Sequence, residues 1–202
     1  MKTILHLCAD LGSDSFPYQQ SDKYNVIKIG ENIGVENYSP DVEIHGIIAN
    51  PVCTDFSTAS GFHKKKTPDL IMLEHCQRII KESDPEWWVL ENPFNGVMKD
   101  YLGQPELVYQ PWEYGSPWTK KTALWGRFNI PDKLFKKWED VPKNNKIYVR
   151  PGRPKPSLAF LHISAIHNID EFKPFIDSIK NDADFRSLCS QGFANEFFKV
   201  NK

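Results

Sequence analysis

Apolar positions gather into short, nearly unbroken runs separated by polar or turn-forming residues: TILHLC (3–8), YNVIKIG (24–30), EIHGIIAN (43–50), EWWVLEN (86–92), ELVYQ (106–110) and KTALWG (121–126). Runs of this length without polar alternation predict strands covered on both faces, the pattern of a mainly parallel sheet. Between the third and fourth runs, residues 68–83 (PDLIMLEHCQRIIKES) carry Leu70, Ile71, Leu73, Cys76, Ile79 and Ile80 at helical spacing. This predicts a helix with Thr67 as N-cap and Pro68 at its first position, stopped by Asp84-Pro85. Strands alternating with turns or helices predict an α/β fold. VRPGRPKPS (149–157) reads as a linker, and residues 158–202 read as helices, over DEFKPFIDSIK and then GFANEFFKV. Asp170 is the expected cap of the first of these.

Composition narrows the class. A chain of 202 residues that is 40% apolar and 25% charged suits one domain with a sizeable core. No apolar stretch approaches the roughly 20 residues that span a bilayer. MKTILHLCADLG reads as a strand rather than a leader, so a cytoplasmic protein with no membrane partner is expected. Cys8, Cys53, Cys76 and Cys189 are scattered, with no C-x-x-C pair, so neither zinc nor any other metal is expected. Cys76 lies on the helical stripe and reads as packing.

Net charge is −1, but residues 117–156 hold eleven Lys or Arg against three acids, a local charge of +8. Trp118, Trp125, Phe128, Phe135, Trp138 and Tyr148 are interleaved with them. Charge and aromatics leave two readings open here: a nucleic-acid surface or a solvated basic face. Trp112, Trp118 and Trp125 are the candidates for base stacking, with core packing as the alternative.

Ligands of open parallel sheets bind where strand C-termini run into loops. ADLGSDS, NPVCTDFS and ENPFNG stand at such points. Cys53 follows one strand and Glu91 ends another, and one crossover helix joins the two strands. A carboxyl at the end of a buried run has its pKa raised by desolvation, which suits a group that shares a proton near neutral pH. A thiolate nucleophile and such a carboxyl in one cleft form a specific pair.

On these residues the chain resembles the DNA (cytosine-5) methyltransferases, in particular their short phage and prophage members. NPVCTDFS is similar to the family's Pro-Pro-Cys nucleophile loop, and ENP to its Glu-Asn-Val or Glu-Asn-Pro segment. LHLCADLGSDS resembles the cofactor loop, YGSPWTKKTALWG the later Tyr-Gly-x-Pro-Gln-x-Arg-x-Arg segment, and RSLCSQGFANEFF the late Arg-x-Leu-Thr segment. The chain departs from the cofactor-loop pattern at His6, Cys8 and Asp10, and from the later segment at Trp118 and Thr122. Residues 127–157 are the only stretch that could serve as a reduced target-recognition region.

The resemblance implies a Rossmann-like S-adenosylmethionine-dependent methyltransferase fold. Residues 1–126 would form the catalytic core, 127–157 a basic segment and 158–202 helices packed on the core. The implied chemistry is methylation of cytosine C5 in DNA, on a base flipped from the duplex. Cys53 adds to C6, Glu91 contacts N3 and the exocyclic amine, and Lys120 lowers the thiol pKa. Cys8, Ala9, Asp10, Leu11, Gly12, Ser13, Glu31, Asn50 and Pro51 would line the S-adenosylmethionine site. Ser57, Lys121, Lys133, Lys136 and Lys137 would contact DNA. Read without the resemblance, Gly12 and Ser13 also suit a plain turn, and Glu31 suits either a ribose or a solvated turn. Two alternatives stay open: a pyrimidine-nucleotide C5-modifying enzyme, and a non-catalytic relative that binds nucleic acid or a protein.

Overall fold

A computed structural model of the chain describes residues 1–9, 11–52, 56 and 68–202. The chain forms two compact units, Met1–Val108 with Thr122–Phe128, and Tyr109–Lys121 with Asn129–Lys202.

The first unit carries β1 (Lys2–Leu7), α1 (Phe16–Gln19), β2 (Tyr24–Ile29), β3 (Gly46–Ala49), α2 (Ile71–Ser83), β4 (Trp87–Pro93), α3 (Lys99–Leu102), the start of β5 (Leu107–Tyr109) and β6 (Thr122–Arg127). The sheet order is β2-β1-β3-β4-β6-β5. The pairs β1–β2, β1–β3 and β3–β4 are parallel, while β4–β6 is antiparallel. The mainly parallel, Rossmann-like α/β sheet implied by the resemblance is therefore the fold of this unit.

Leu5, Leu7, Ile47, Ala49 and Leu90 join Leu73, Cys76, Ile79 and Ile80 of α2 in one buried cluster. Strand residues alternate between the two faces of a sheet. The register Leu7↔Ala49 and Ala49↔Leu90 thus sends the even positions of β1 and β3, and the odd positions of β4, to the opposite face. There Tyr18 of α1 stacks on Trp87, with ring centroids 5.6 Å apart. Gly46 makes room for that indole: a Cβ at this position would come within 2.2 Å of Trp87.

The middle helix begins later than its sequence predicts. It starts at Ile71, whose N–H donates to the Asp69 carboxylate at 2.9 Å. Pro68 thus precedes the helix, and Thr67 lies outside the described residues. Asp84, in left-handed backbone at φ +39°, ends the helix as expected, its N–H donating to the Ile80 carbonyl.

The second unit is built from short turns of helix around aromatic side chains. Trp118 is fully buried, 5.0 Å from the ring of Phe172, and Tyr109 stacks on Phe193 at 3.9 Å. The segment expected to be an α-helix with an Asp170 cap is instead a 3-10 run, Asp170–Ser178. Pro174 inside it has no N–H to donate and would clash with an α-helical carbonyl four residues back. Asp170 does not cap; its carboxylate pairs with Lys173 at 2.7 Å. Two true α-helices follow, α4 (Asp182–Ser187), capped by Asn181, and α5 (Gln191–Val200), capped by Ser190. Among the described residues no helix is long and apolar enough to cross a membrane.

Candidate active site

β1 lies between β2 and β3, so the chain leaves β1 toward one side of the sheet and returns on the other. Such a switch point opens a crevice at the strand C-termini. The loop after β1 and the loop after β3 both start there. Ala9 stays tied to β2 through its N–H to the Ile29 carbonyl (3.0 Å), and Asn50 to β1 through its N–H to the Leu7 carbonyl (3.2 Å).

Three side chains from neighbouring strands meet on the face away from α2. His6 of β1 is buried, with Nδ1 2.8 Å from Ser15 Oγ and Nε2 2.7 Å from Asn50 Oδ1. Asn50 donates through Nδ2 to Glu91 Oε2 at 3.1 Å and, at 3.5 Å, to Asp14 Oδ1. Glu91, half-buried two residues before the end of β4, is thus bonded to the first residue after β3. Asn92, the next residue, is buried and donates to the Pro51 carbonyl at 3.0 Å. Met72 of α2 has its sulfur 3.4 Å from the Val52 amide, and the Phe56 carbonyl accepts the Val97 N–H at 2.8 Å. Cys53 and Ser57 lie outside the described residues, as does Asp10. The described neighbours of Cys53 on both sides are therefore anchored to β4, to α2 and to the segment before α3.

The loop after β1 turns through left-handed backbone at Cys8 (φ +57°) and Gly12 (φ +71°). Only glycine adopts that geometry without cost, and a Cβ at Gly12 would lie 2.8 Å from the Lys28 side chain. Cys8 Sγ sits 3.8 Å from Cys76 Sγ, and Cys76 is wholly buried packing, as its stripe position predicts. Ala9, Gly12 and Ser13 are buried and Leu11 half-buried, while Glu31 is exposed two residues past β2. Loop backbone at a switch crevice with a carboxylate after the second strand is a donor set that suits a nucleoside cofactor.

The second unit holds the other predicted residues. Lys120 Nζ donates to the Ser187 and Leu188 carbonyls at 3.0 and 3.2 Å, which satisfies the C-terminal end of α4. Lys121, Lys136 and Lys137 are exposed. Lys133 is bound to Glu113 at 2.5 Å. Of the stacking candidates, Trp118 and Trp125 are core, whereas Trp112 is half-buried. The Lys155 ammonium lies 4.7 Å from the Trp112 ring and 5.3 Å from that of Trp138, and Lys143 lies 4.2 Å from Trp138. Glu171 is enclosed beside Ser116 and the start of α5; burial raises its carboxyl to about 7, although the Gln191 and Gly192 amides and Ser116 hydroxyl favour its anion.

Sequence reasoning gave no role to His6, Asp14, Ser15 or Asn92, although His6 is a departure from the cofactor-loop pattern and Asn92 lies in the ENP segment; the bonds from His6 and Asp14 to Asn50 and from Asn92 to Pro51 span 36 to 44 positions.

No protein-family model and no curated protein matches the chain. Among solved structures, it is similar to a candidate DNA modification methyltransferase encoded within a prophage of E. coli, at 16% identity and a TM-score of 0.48. The similarity covers 76% of this chain, which spans 56% of that protein's length.

Proposed function

We propose that the chain is an S-adenosylmethionine-dependent DNA methyltransferase that modifies cytosine at C5 through Cys53. The observation that carries this reading is the Asn50–Glu91 bond at the strand ends, with the Asn92 hold on Pro51 beside it. The loop that leads into Cys53 and the carboxyl of the motif pair are joined on adjacent strands. The left-handed loop after β1 and Glu31 after β2 support a cofactor at the same crevice.

Cytosine C5 is a poor nucleophile in its aromatic ring. Addition of the Cys53 thiolate at C6 breaks the aromaticity and pushes electron density toward C5 and N3. A proton held by Glu91 at N3 stabilises that density. S-adenosylmethionine, when bound, would supply its sulfonium methyl to the electron pair at C5, the S–CH3 bond breaking to leave a neutral thioether. Loss of the C5 proton and expulsion of the Cys53 thiolate then break the S–C6 bond and restore the ring. Lys120 and Lys121 are the cations assigned to the thiolate or to phosphate, and Lys136, Lys137 and Ser57 to the DNA backbone, whereas Lys133 is held by Glu113.

The test is transfer of labelled methyl from S-adenosylmethionine to DNA and, separately, to dCMP. The reading predicts label in DNA at C5, lost in Cys53→Ser and Glu91→Gln. Label in dCMP alone would move the substrate to a free nucleotide. Cofactor binding with no transfer to either would contradict catalysis.

A further inference from the structure

We propose that His6 is a positioning residue for Glu91, acting through the Asn50 amide; the inference rests on the role given to Glu91 above. A side-chain amide can turn over at little cost, exchanging its oxygen and nitrogen. Asn50 stands between two groups that make the two orientations unequal. With Nδ2 toward Glu91 Oε2 at 3.1 Å, Oδ1 faces His6 Nε2 at 2.7 Å. An oxygen accepts, so Nε2 carries the ring hydrogen. Nδ1 is then the acceptor, and Ser15 Oγ, 2.8 Å away, turns its one hydrogen to it rather than to the Gly12 carbonyl at 3.3 Å. The reversed amide would set two acceptors against each other at an ionised Glu91 and, with this tautomer, two donors against each other at His6.

His6 is 1% exposed, with Ile4 two residues before it in β1, Ile48 opposite in β3 and Lys28 opposite in β2. A ring buried merely for packing needs an acceptor of any kind, and backbone carbonyls supply most of those. This ring instead spends its N–H on a side chain whose far end holds the carboxyl of the proposed reaction. The sequence of donors runs one way, from Ser15 to His6, from His6 to Asn50 and from Asn50 to Glu91. It gives Glu91 Oε2 a donor from Asn50, and so helps to hold the plane of the carboxyl that must meet N3. Among the described residues, Asp14 Oδ1 also lies 3.5 Å from the same amide nitrogen.

The experiment uses the full chain. In wild type near neutral pH, ¹⁵N spectra of the His6 ring show hydrogen on Nε2 and none on Nδ1, and the Asn50 side-chain amide exchanges slowly with solvent. His6→Gln keeps an amide donor toward Asn50 and keeps the slow exchange; His6→Phe loses it. In methyl transfer to DNA, His6→Phe lowers kcat about tenfold, which is about 1.4 kcal/mol in the transition state. KM and cofactor affinity stay within about twofold, and His6→Gln recovers most of kcat. Asn50→Asp keeps the acceptor for His6 and removes the donor to Glu91, so it lowers kcat like His6→Phe even where the Phe variant folds poorly. Hydrogen on Nδ1 alone, or a His6→Phe variant with wild-type kcat, overturns the proposal. So does equal damage to kcat, KM and melting temperature with no rescue by Gln, which reduces His6 to packing. If wild type transfers no methyl group, the functional reading fails by itself. The ring and amide spectra then still decide whether His6 orients Asn50 toward Glu91.

Discussion

Glu171 offers a measurement in the second unit that needs no substrate. Its Oε2 accepts the Gln191 N–H at 2.7 Å and the Ser116 hydroxyl at 3.0 Å, and Ser116 Oγ lies 2.6 Å from Ser190 Oγ. These donors, with the N-terminus of α5, favour the anion. Burial opposes them and wins, raising the carboxyl from 4.5 to about 7. A raised carboxyl means that the folded chain binds the proton more tightly than the unfolded chain. The stabilisation is then complete below about pH 4.5 and drains away as pH rises to about 7. The full loss is about 3 kcal/mol. Glu171→Gln keeps a neutral side chain of the same shape at every pH. In urea titrations across this window, followed by tryptophan fluorescence, wild type should lose stability as pH rises. The contribution of position 171 should be flat in the Gln variant, which should match wild type near pH 4.5 and exceed it by about 2–3 kcal/mol at pH 8. Parallel stability–pH curves for the two proteins would refute the reasoning, because they would show that the donors offset burial in full.

Two more outcomes follow from the geometry. Gly12→Ala places a Cβ in left-handed backbone against Lys28, so it should cost about 1–2 kcal/mol of stability by urea titration and weaken S-adenosylmethionine binding by calorimetry; unchanged affinity would remove the β1 loop from the cofactor site. Charge reversal of Lys136 and Lys137 should lower the slope of log affinity for DNA against log salt by about 0.9 for each phosphate that the variant no longer neutralises, whereas Lys133→Glu should act mainly by breaking the Glu113 pair; an unchanged slope in the double variant would leave these lysines a solvated face.

Much of the sheet was legible because strands covered on both faces must be apolar throughout, and the six runs show it. Their mainly parallel direction was legible for the same reason, but their order was not, and the antiparallel entry of β6 between β4 and β5 has no local signature. The 3-10 run over residues 170–178 was written in Pro174, whose missing donor outweighs the helical spacing of its apolar residues. At the site, Glu91 could be read because it ends a buried strand beside a proline. His6 could not, since a single histidine among apolar residues shows nothing of a partner 44 positions away. The Lys133 pairing was hidden for the same reason: charge counts show the local +8 and not which ammonium already has a carboxylate.

The central claim is that Cys53 attacks the base with Glu91 beside it. It is tested most directly on DNA carrying 5-fluorocytosine, whose C5 cannot lose a proton after methyl transfer. With S-adenosylmethionine present, wild type should form a protein–DNA adduct that survives denaturation. Cys53→Ser should form none, Glu91→Gln should form it far more slowly, and Cys76→Ser and Cys189→Ser should form it normally, as both cysteines are buried. An adduct that persists in Cys53→Ser, or its absence from wild type with cofactor bound, would contradict the account.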